Sequence, residues 1–159
     1  MADPKYIVVI GASAGGLNSV IELSAQLNEN VDAAVFVVMH ISQISTTDLL
    51  VQRFQNNSSF VCKMAEDGEK IRGGHLYIAV PDKHLLLKKG SVVLGRGTAE
   101  NRWRPSIDIL FRSAAANYSA RVIGVILSGL MEDGTAGMLA IKKKRWYPDS
   151  ARPGRSRIS

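Results

Sequence analysis

Three side chains that lie far apart in the chain are of the types acyl-transfer chemistry needs: the hydroxyl of Ser13, the imidazole of His40 and the carboxylate of Asp133. A serine hydroxyl is a weak nucleophile until a neighbouring base removes its proton, and imidazole does this near neutral pH. His40 is expected to take the Ser13 proton and return it to the leaving group. Asp133 is expected to fix the imidazole tautomer and stabilise its cation. Ser13 sits in a run of small residues, Gly11-Ala-Ser-Ala-Gly-Gly16. Gly11 is expected to permit a tight bend, while Gly15 and Gly16 leave backbone N–H groups accessible at a helix start. Such donors, together with the positive end of the helix dipole, stabilise a developing oxyanion, each typically worth ~10²–10³ in rate.

Each piece has a second reading. A strand followed by a glycine-rich turn and a helix often holds a nucleotide phosphate. Here the glycines do not reproduce the G-x-G-x-x-G spacing, and no G-x-x-x-x-G-K-S/T run occurs. The pattern G-x-S-x-G does fit residues 11–15, although its usual partner order is Ser, Asp, His rather than Ser, His, Asp. His40 alone reads as a hydrogen-bonded structural histidine, and Asp133-Gly134 as a loop and helix-start signal with Glu132 as an alternative carboxylate. His75 begins a strand, at the opposite edge if that strand is parallel, and His84 reads as a surface residue in a turn. Cys62 reads as a small core residue. Three histidines and one cysteine so scattered show no metal-ligand spacing, and neither a metal nor another cofactor is expected.

Convergence of Ser13, His40 and Asp133 depends on the elements that carry them. Residues 6–10 form a continuous β-branched run, the pattern of a strand buried on both faces. A small-residue turn at 11–16 follows, then Leu17, Val20, Ile21, Ser24 and Leu27 at helical spacing. Residues 33–39 read as a second buried strand, and 47–55 as a helix. The middle predicts a short strand at 61–63, a strand at 75–80, and a hairpin pairing 85–88 with 92–94. Ser106 is expected to cap a helix running to about Tyr118. A third buried strand at 122–127, a turn at 128–134 and a helix from about Thr135 complete the pattern. Alternating strands and helices argue for a doubly wound α/β fold, with a mainly parallel sheet and helices on both faces. Ligands bind such sheets beyond the carboxyl ends of the strands, where Ser13, His40 and Asp133 fall.

The 159 residues suit one domain, with 46% hydrophobic and 21% charged residues. The net charge of +6 does not describe a nucleic-acid surface. Of 20 basic and 14 acidic residues, seven basic ones and only Asp149 lie in 142–159, leaving 13 of each elsewhere. A binding footprint would instead lie on the folded domain. No apolar run approaches the ~20 residues of a membrane span, and residues 1–5 carry no secretory leader. With a lone cysteine and no internal disulfide, a cytoplasmic location is expected.

The same segments resemble the chemotaxis protein-glutamate methylesterase family of CheB type. Ile10-Gly-Ala-Ser-Ala-Gly-Gly16 is similar to the family's nucleophile motif, Val37-Val-Met-His40 to its histidine-bearing strand end, and Leu127-Ser-Gly-Leu-Met-Glu-Asp-Gly-Thr-Ala-Gly137 to its aspartate segment. Gly74-His-Leu-Tyr-Ile-Ala-Val-Pro81 with His84, and the segment from Arg104 to Ala114, agree as well. The likeness is collinear over about 6–142. It implies Ser13, His40 and Asp133 as catalytic residues, with backbone support for the oxyanion from Ala14, Gly15, Gly16, Leu130 and Met131. It also implies hydrolysis of glutamyl methyl esters on the cytoplasmic helices of methylated chemoreceptors, with glutamine deamidation as a related activity. A receiver or methyltransferase module accompanies many members and is absent from this chain. The contrasting readings are a nucleotide-binding α/β module and a non-catalytic receptor-binding form of the same scaffold.

The chain departs from the family pattern at Ala14, where threonine is frequent, at Met39-His-Ile-Ser42, and at Gly129-Leu-Met131. The methylesterase-like domain is therefore assigned to 1–143, and 144–159 is expected to be a basic, disordered tail. Permissible codons for 145–159, read one base out of register, spell GGIRIVQDPEEAEYP, so the tail is expected to be a frameshift product. On that reading a C-terminal strand and helix are missing.

Overall fold

β-Branched runs bounded by small or polar residues become the strands of one sheet in the computed structural model, which describes residues 3–40, 47–100, 103–127 and 132–146. In chain order the elements begin with β1 (Tyr6–Ser13), α1 (Leu17–Gln26), β2 (Ala33–His40) and α2 (Thr47–Gln55). They continue with β3 (Val61–Met64), β4 (His75–Ile78), and a hairpin of β5 (His84–Lys88) and β6 (Ser91–Gly95). The last are α3 (Ile107–Tyr118), β7 (Val122–Leu127) and α4 (Thr135–Trp146). Five strands form a sheet in the order β3-β4-β2-β1-β7, and every neighbouring pair is parallel. Strand order reverses at β1, which places the sheet's switch point beside the carboxyl end of that strand. This is the expected α/β architecture.

Side chains alternate across the sheet and feed two separate cores. Ile7, Val9, Phe36 and Val38 face one side, under α3, α4 and the β5–β6 hairpin. Val8, Ile10, Val35 and Val37 face the other, under α1 and α2. The hairpin is tied to α3 by polar contacts: the Leu87 amide donates to Ser113 Oγ (3.0 Å), Asn117 Nδ2 donates to the Leu87 carbonyl (2.9 Å), and the Gly90 amide donates to the Tyr118 hydroxyl (2.8 Å).

Several boundaries differ from the sequence reading, each for a physical reason. β1 does not yield to a turn at Gly11 but runs on to Ser13, because β2 and β7 flank it and supply ladder partners on both sides. Gly11 consequently makes no bend. A Cβ there would lie 2.5 Å from Ile107 Cγ2, so its missing side chain is what admits the first turn of α3 against the sheet. β4 stops at Ile78 rather than Val80. The helix that begins at Thr135 continues through Trp146, so the division at 143/144 falls inside α4; residues 147–159 lie outside the described residues.

Candidate active site

Strand parity aims Ser13 and His40 at the same side of the sheet. Ser13 continues the series Ile7, Val9 and Gly11, and His40 continues Ala34, Phe36 and Val38, so both face the side covered by α3 and α4. The two residues are register partners at the carboxyl ends of adjacent parallel strands, where neighbouring backbones lie roughly 4.8 Å apart. Ser13 is the last residue of β1, with extended backbone at φ −78° and ψ 171°. Ala14, Gly15 and Gly16 form a single 3-10 turn that leads directly into α1.

Asp133 reaches this edge from the loop before α4. Its Oδ2 lies 2.7 Å from His40 Nε2, and both residues are buried, at 2% and 5% exposure. The carboxylate is held by three further donors. Ser106 Oγ and the Asp108 amide donate to Oδ1, both at 2.9 Å, and the Ile107 amide donates to Oδ2 at 2.6 Å. Asp133 thus sits on the N-terminus of α3, where unpaired N–H groups and the helix dipole favour an anion. Burial alone would raise its pKa. Hydrogen bonds from His40, the Asp108 and Ile107 amides and Ser106 outweigh that penalty and hold it below the ordinary 3.8.

The support is reciprocal. Asp108, in the first turn of α3, accepts at Oδ1 from the Gly134 amide (2.9 Å) and the Gly137 amide (2.7 Å) at the start of α4. Each helix start therefore binds a carboxylate attached to the other. Gly137 is needed for this approach, since a Cβ there would come within 2.5 Å of Phe111 Cβ and 3.1 Å of Asp108 Oδ1. Among the described residues no buried side-chain polar atom lacks a partner.

Trp103 covers His40. The rings are parallel to within 3°, with centroids 3.8 Å apart, and the indole remains 38% exposed. Paired backbone hydrogen bonds between Glu100 and Trp103 and an Arg112–Glu100 ion pair hold this loop to α3. On the other side of Trp103, Arg104 is joined to Asp82 at 2.6 Å. Stacking against the indole fixes the plane of the imidazole.

The remaining candidates separate cleanly. Glu132 is exposed, whereas the neighbouring Asp133 is buried and bonded to His40. His75 lies at the amino end of parallel β4, on the opposite edge as expected, with Nδ1 against the Gly73 carbonyl. Cys62 is buried and unpaired as a thiol, and burial pushes its pKa up. His84 is not a surface residue; it is 2% exposed and begins β5, where it bonds both to the loop before α3 and to Thr98. Leu130 and Met131, with residues 41–46 and 101–102 of the expected loops, lie outside the described residues. No grouping of three potential metal ligands occurs among the described residues. Sequence reasoning missed Trp103 and Asp108, and found in Ser106 only a helix cap. The signal for the last two was present, because Ser-x-Asp at a helix start offers both a capping hydroxyl and a first-turn carboxylate.

A buried imidazole–carboxylate pair beside a serine at the rim of a parallel sheet defines a class of α/β protein equipped for acyl transfer. The chain belongs to the CheB methylesterase family, which it matches over residues 8–149. The match extends past Lys142, in keeping with the continuation of α4. The protein-glutamate methylesterase/protein-glutamine glutaminase of Thiobacillus denitrificans is 36% identical over 155 residues, covering 92% of this chain and 42% of that protein. The Salmonella typhimurium protein of the same name is 36% identical over 145 residues, covering 89% and 41%. The crystal structure of the Thermotoga maritima CheB methylesterase catalytic domain superposes with a TM-score of 0.81 at 35% identity, covering 91% of this chain and 77% of that one. The chain spans about two-fifths of the length of these curated relatives.

Proposed function

We propose that this chain is the esterase part of a protein-glutamate methylesterase, hydrolysing glutamyl methyl esters on the cytoplasmic helices of chemoreceptors. The observation that carries the reading is the buried 2.7 Å contact between His40 Nε2 and Asp133, with Ser13 the register neighbour of His40. Because Nε2 is committed to Asp133, Nδ1 is the ring nitrogen that serves Ser13. His40 takes the hydroxyl proton through Nδ1 as Ser13 Oγ attacks the ester carbonyl. The tetrahedral intermediate collapses, the proton passes to the departing methoxide, and methanol leaves. Water, deprotonated by the same imidazole, then cleaves the acyl-enzyme and restores glutamate and Ser13. Asp133 remains an anion throughout, because four donors already stabilise its charge.

The developing oxyanion is assigned to the backbone N–H groups of Ala14, Gly15 and Gly16, with Leu130 and Met131 contributing from the loop before Asp133. The second half of the relatives' name, protein-glutamine glutaminase, supports deamidation at the same site, with ammonia replacing methanol as leaving group. The working location is cytoplasmic, and among the described residues no helix is long and apolar enough to cross a membrane. A receiver or methyltransferase module is assigned as regulatory partner; no nucleic acid is involved. Methanol release from methylated receptor fragments tests the reading, with Ser13→Ala as control. Release by the native chain and none by the variant supports it, and equal release by both would overturn it.

A further inference from the structure

The buried network does not end at Asp133. Ser106, which donates to Asp133 Oδ1 through its hydroxyl, donates its own backbone N–H to His84 Nδ1 at 3.2 Å. His84 Nε2 lies 2.9 Å from the Thr98 carbonyl. A carbonyl can only accept, so Nε2 carries the proton and Nδ1 is the acceptor for Ser106; one neutral tautomer satisfies both contacts. His84 and Ser106 are 2% and 0% exposed. His84 belongs to β5, whose hairpin is bonded to the body of α3 through Ser113 and Asn117. The start of α3 is thereby located by two strands at once, β1 through Ile107 on Gly11 and β5 through His84 on Ser106.

We propose that His84 is a positioning residue for the reaction, acting through Ser106 and Asp133 on His40. It touches neither the reacting atoms nor the pair itself. Its Nδ1 fixes the backbone of the residue whose hydroxyl, with the two amides that follow it, sets the orientation of the Asp133 carboxylate. A ring that merely filled space would need only volume at this position, whereas the geometry calls for an acceptor on the Cγ-adjacent atom. Small misplacements of reacting groups cost up to about 10²-fold in rate, so a loss of that acceptor is read in turnover.

The proposal rests on the methylesterase reading for its activity assay, and a second readout makes it independent of that reading. In the full chain, His84→Asn keeps an amide oxygen where Nδ1 lies, and His84→Gln keeps a nitrogen where Nε2 lies but places no acceptor at the Nδ1 position facing Ser106. Methanol release should stay within a few-fold of native for His84→Asn and fall roughly tenfold to 10²-fold in kcat for His84→Gln, with KM nearly unchanged. Space-filling alone predicts the reverse order, since glutamine is nearer to histidine in volume. Ser106→Ala, which removes only a hydroxyl, should lower kcat in the same way. Combining it with His84→Gln should add little, because both act along one path. Proton NMR of the downfield Nε2–H shared by His40 and Asp133 should show the resonance kept in His84→Asn and shifted in His84→Gln and Ser106→Ala. That pattern supports the relay even if the native chain releases no methanol, an outcome that would count against the esterase assignment alone. Turnover of His84→Gln equal to or above that of His84→Asn, fully multiplicative losses in the double variant, or a resonance indifferent to all three changes would overturn the proposal.

Discussion

The two faces of the sheet are built from different materials. Under α1 and α2 the core is apolar, with Ser24 a local exception that returns its hydroxyl to the Ile21 carbonyl within its own helix. Under α3 and α4 five polar or charged side chains are buried together with the apolar core: His40, His84, Ser106, Asp108 and Asp133. All are hydrogen-bonded. Burying polar groups costs free energy unless each finds a partner, so such groups are concentrated where chemistry requires them. One face is a foundation. The other carries the proposed site, and its polar groups are supported by the starts of two helices instead of by solvent.

This contrast predicts that substitutions on the two faces fail differently. The largest effect belongs to Asp133→Asn, which retains shape and removes the charge that orients His40. Turnover should fall by about 10⁴-fold with little change in KM, as measured by methanol release. On the opposite face Phe54→Ala empties a fully buried site in α2. It should cost about 3–5 kcal/mol of stability in chemical denaturation, while turnover per folded molecule stays near native. If Phe54→Ala lowered turnover as strongly as it lowered stability, the division between faces would be lost.

A smaller effect concerns acid. Asp133 has a folded-state pKa below its ordinary 3.8, so its ionisation stabilises the native chain at pH values above 3.8. That contribution disappears as pH falls through the depressed folded value. Between pH 7 and pH 3 the native chain should therefore lose more stability than Asp133→Asn, which has no proton to take up; denaturation curves at the two pH values give the comparison. The smallest effect is expected at Trp103. Trp103→Ala should reduce kcat by roughly fivefold, equivalent to about 1 kcal/mol of lost ring stacking, and Trp103→Phe should recover part of the loss.

Much of this architecture was legible because single residues carried periodic signals. The unbroken run at 33–39 could only be a strand buried on both faces, and β2 is buried at every position. Ser106 before an apolar periodic stretch marked the start of α3, and its hydroxyl does accept from the Ile109 amide at 3.3 Å. Local patterns misled where tertiary contacts override them. Gly11 carries the turn signal of any glycine after an apolar run, yet two ladders keep it in the strand and Ile107 explains its lack of a side chain. His84 reads from sequence as a surface residue in a turn between apolar runs, but as the first residue of β5 it faces inward toward Ser106. The closeness of His40 and Asp133 followed from topology, since both were expected beyond the carboxyl ends of parallel strands. The donors gathered around Asp133 did not follow, because a backbone amide is the same at every position and leaves no mark in a sequence. Trp103 was hidden for a related reason: its place over His40 is set by the Glu100 and Arg104 contacts of an irregular loop, which has no period to read.

Whether Ser13, His40 and Asp133 act as one unit is tested most directly by methanol release from Ser13→Ala, Asp133→Asn and the double variant on a methylated receptor fragment. Groups that share a single proton path lose their whole contribution once, so the double variant should be no slower than Ser13→Ala alone. Losses that multiply, with the double variant slower by the product of the two single effects, would contradict the account.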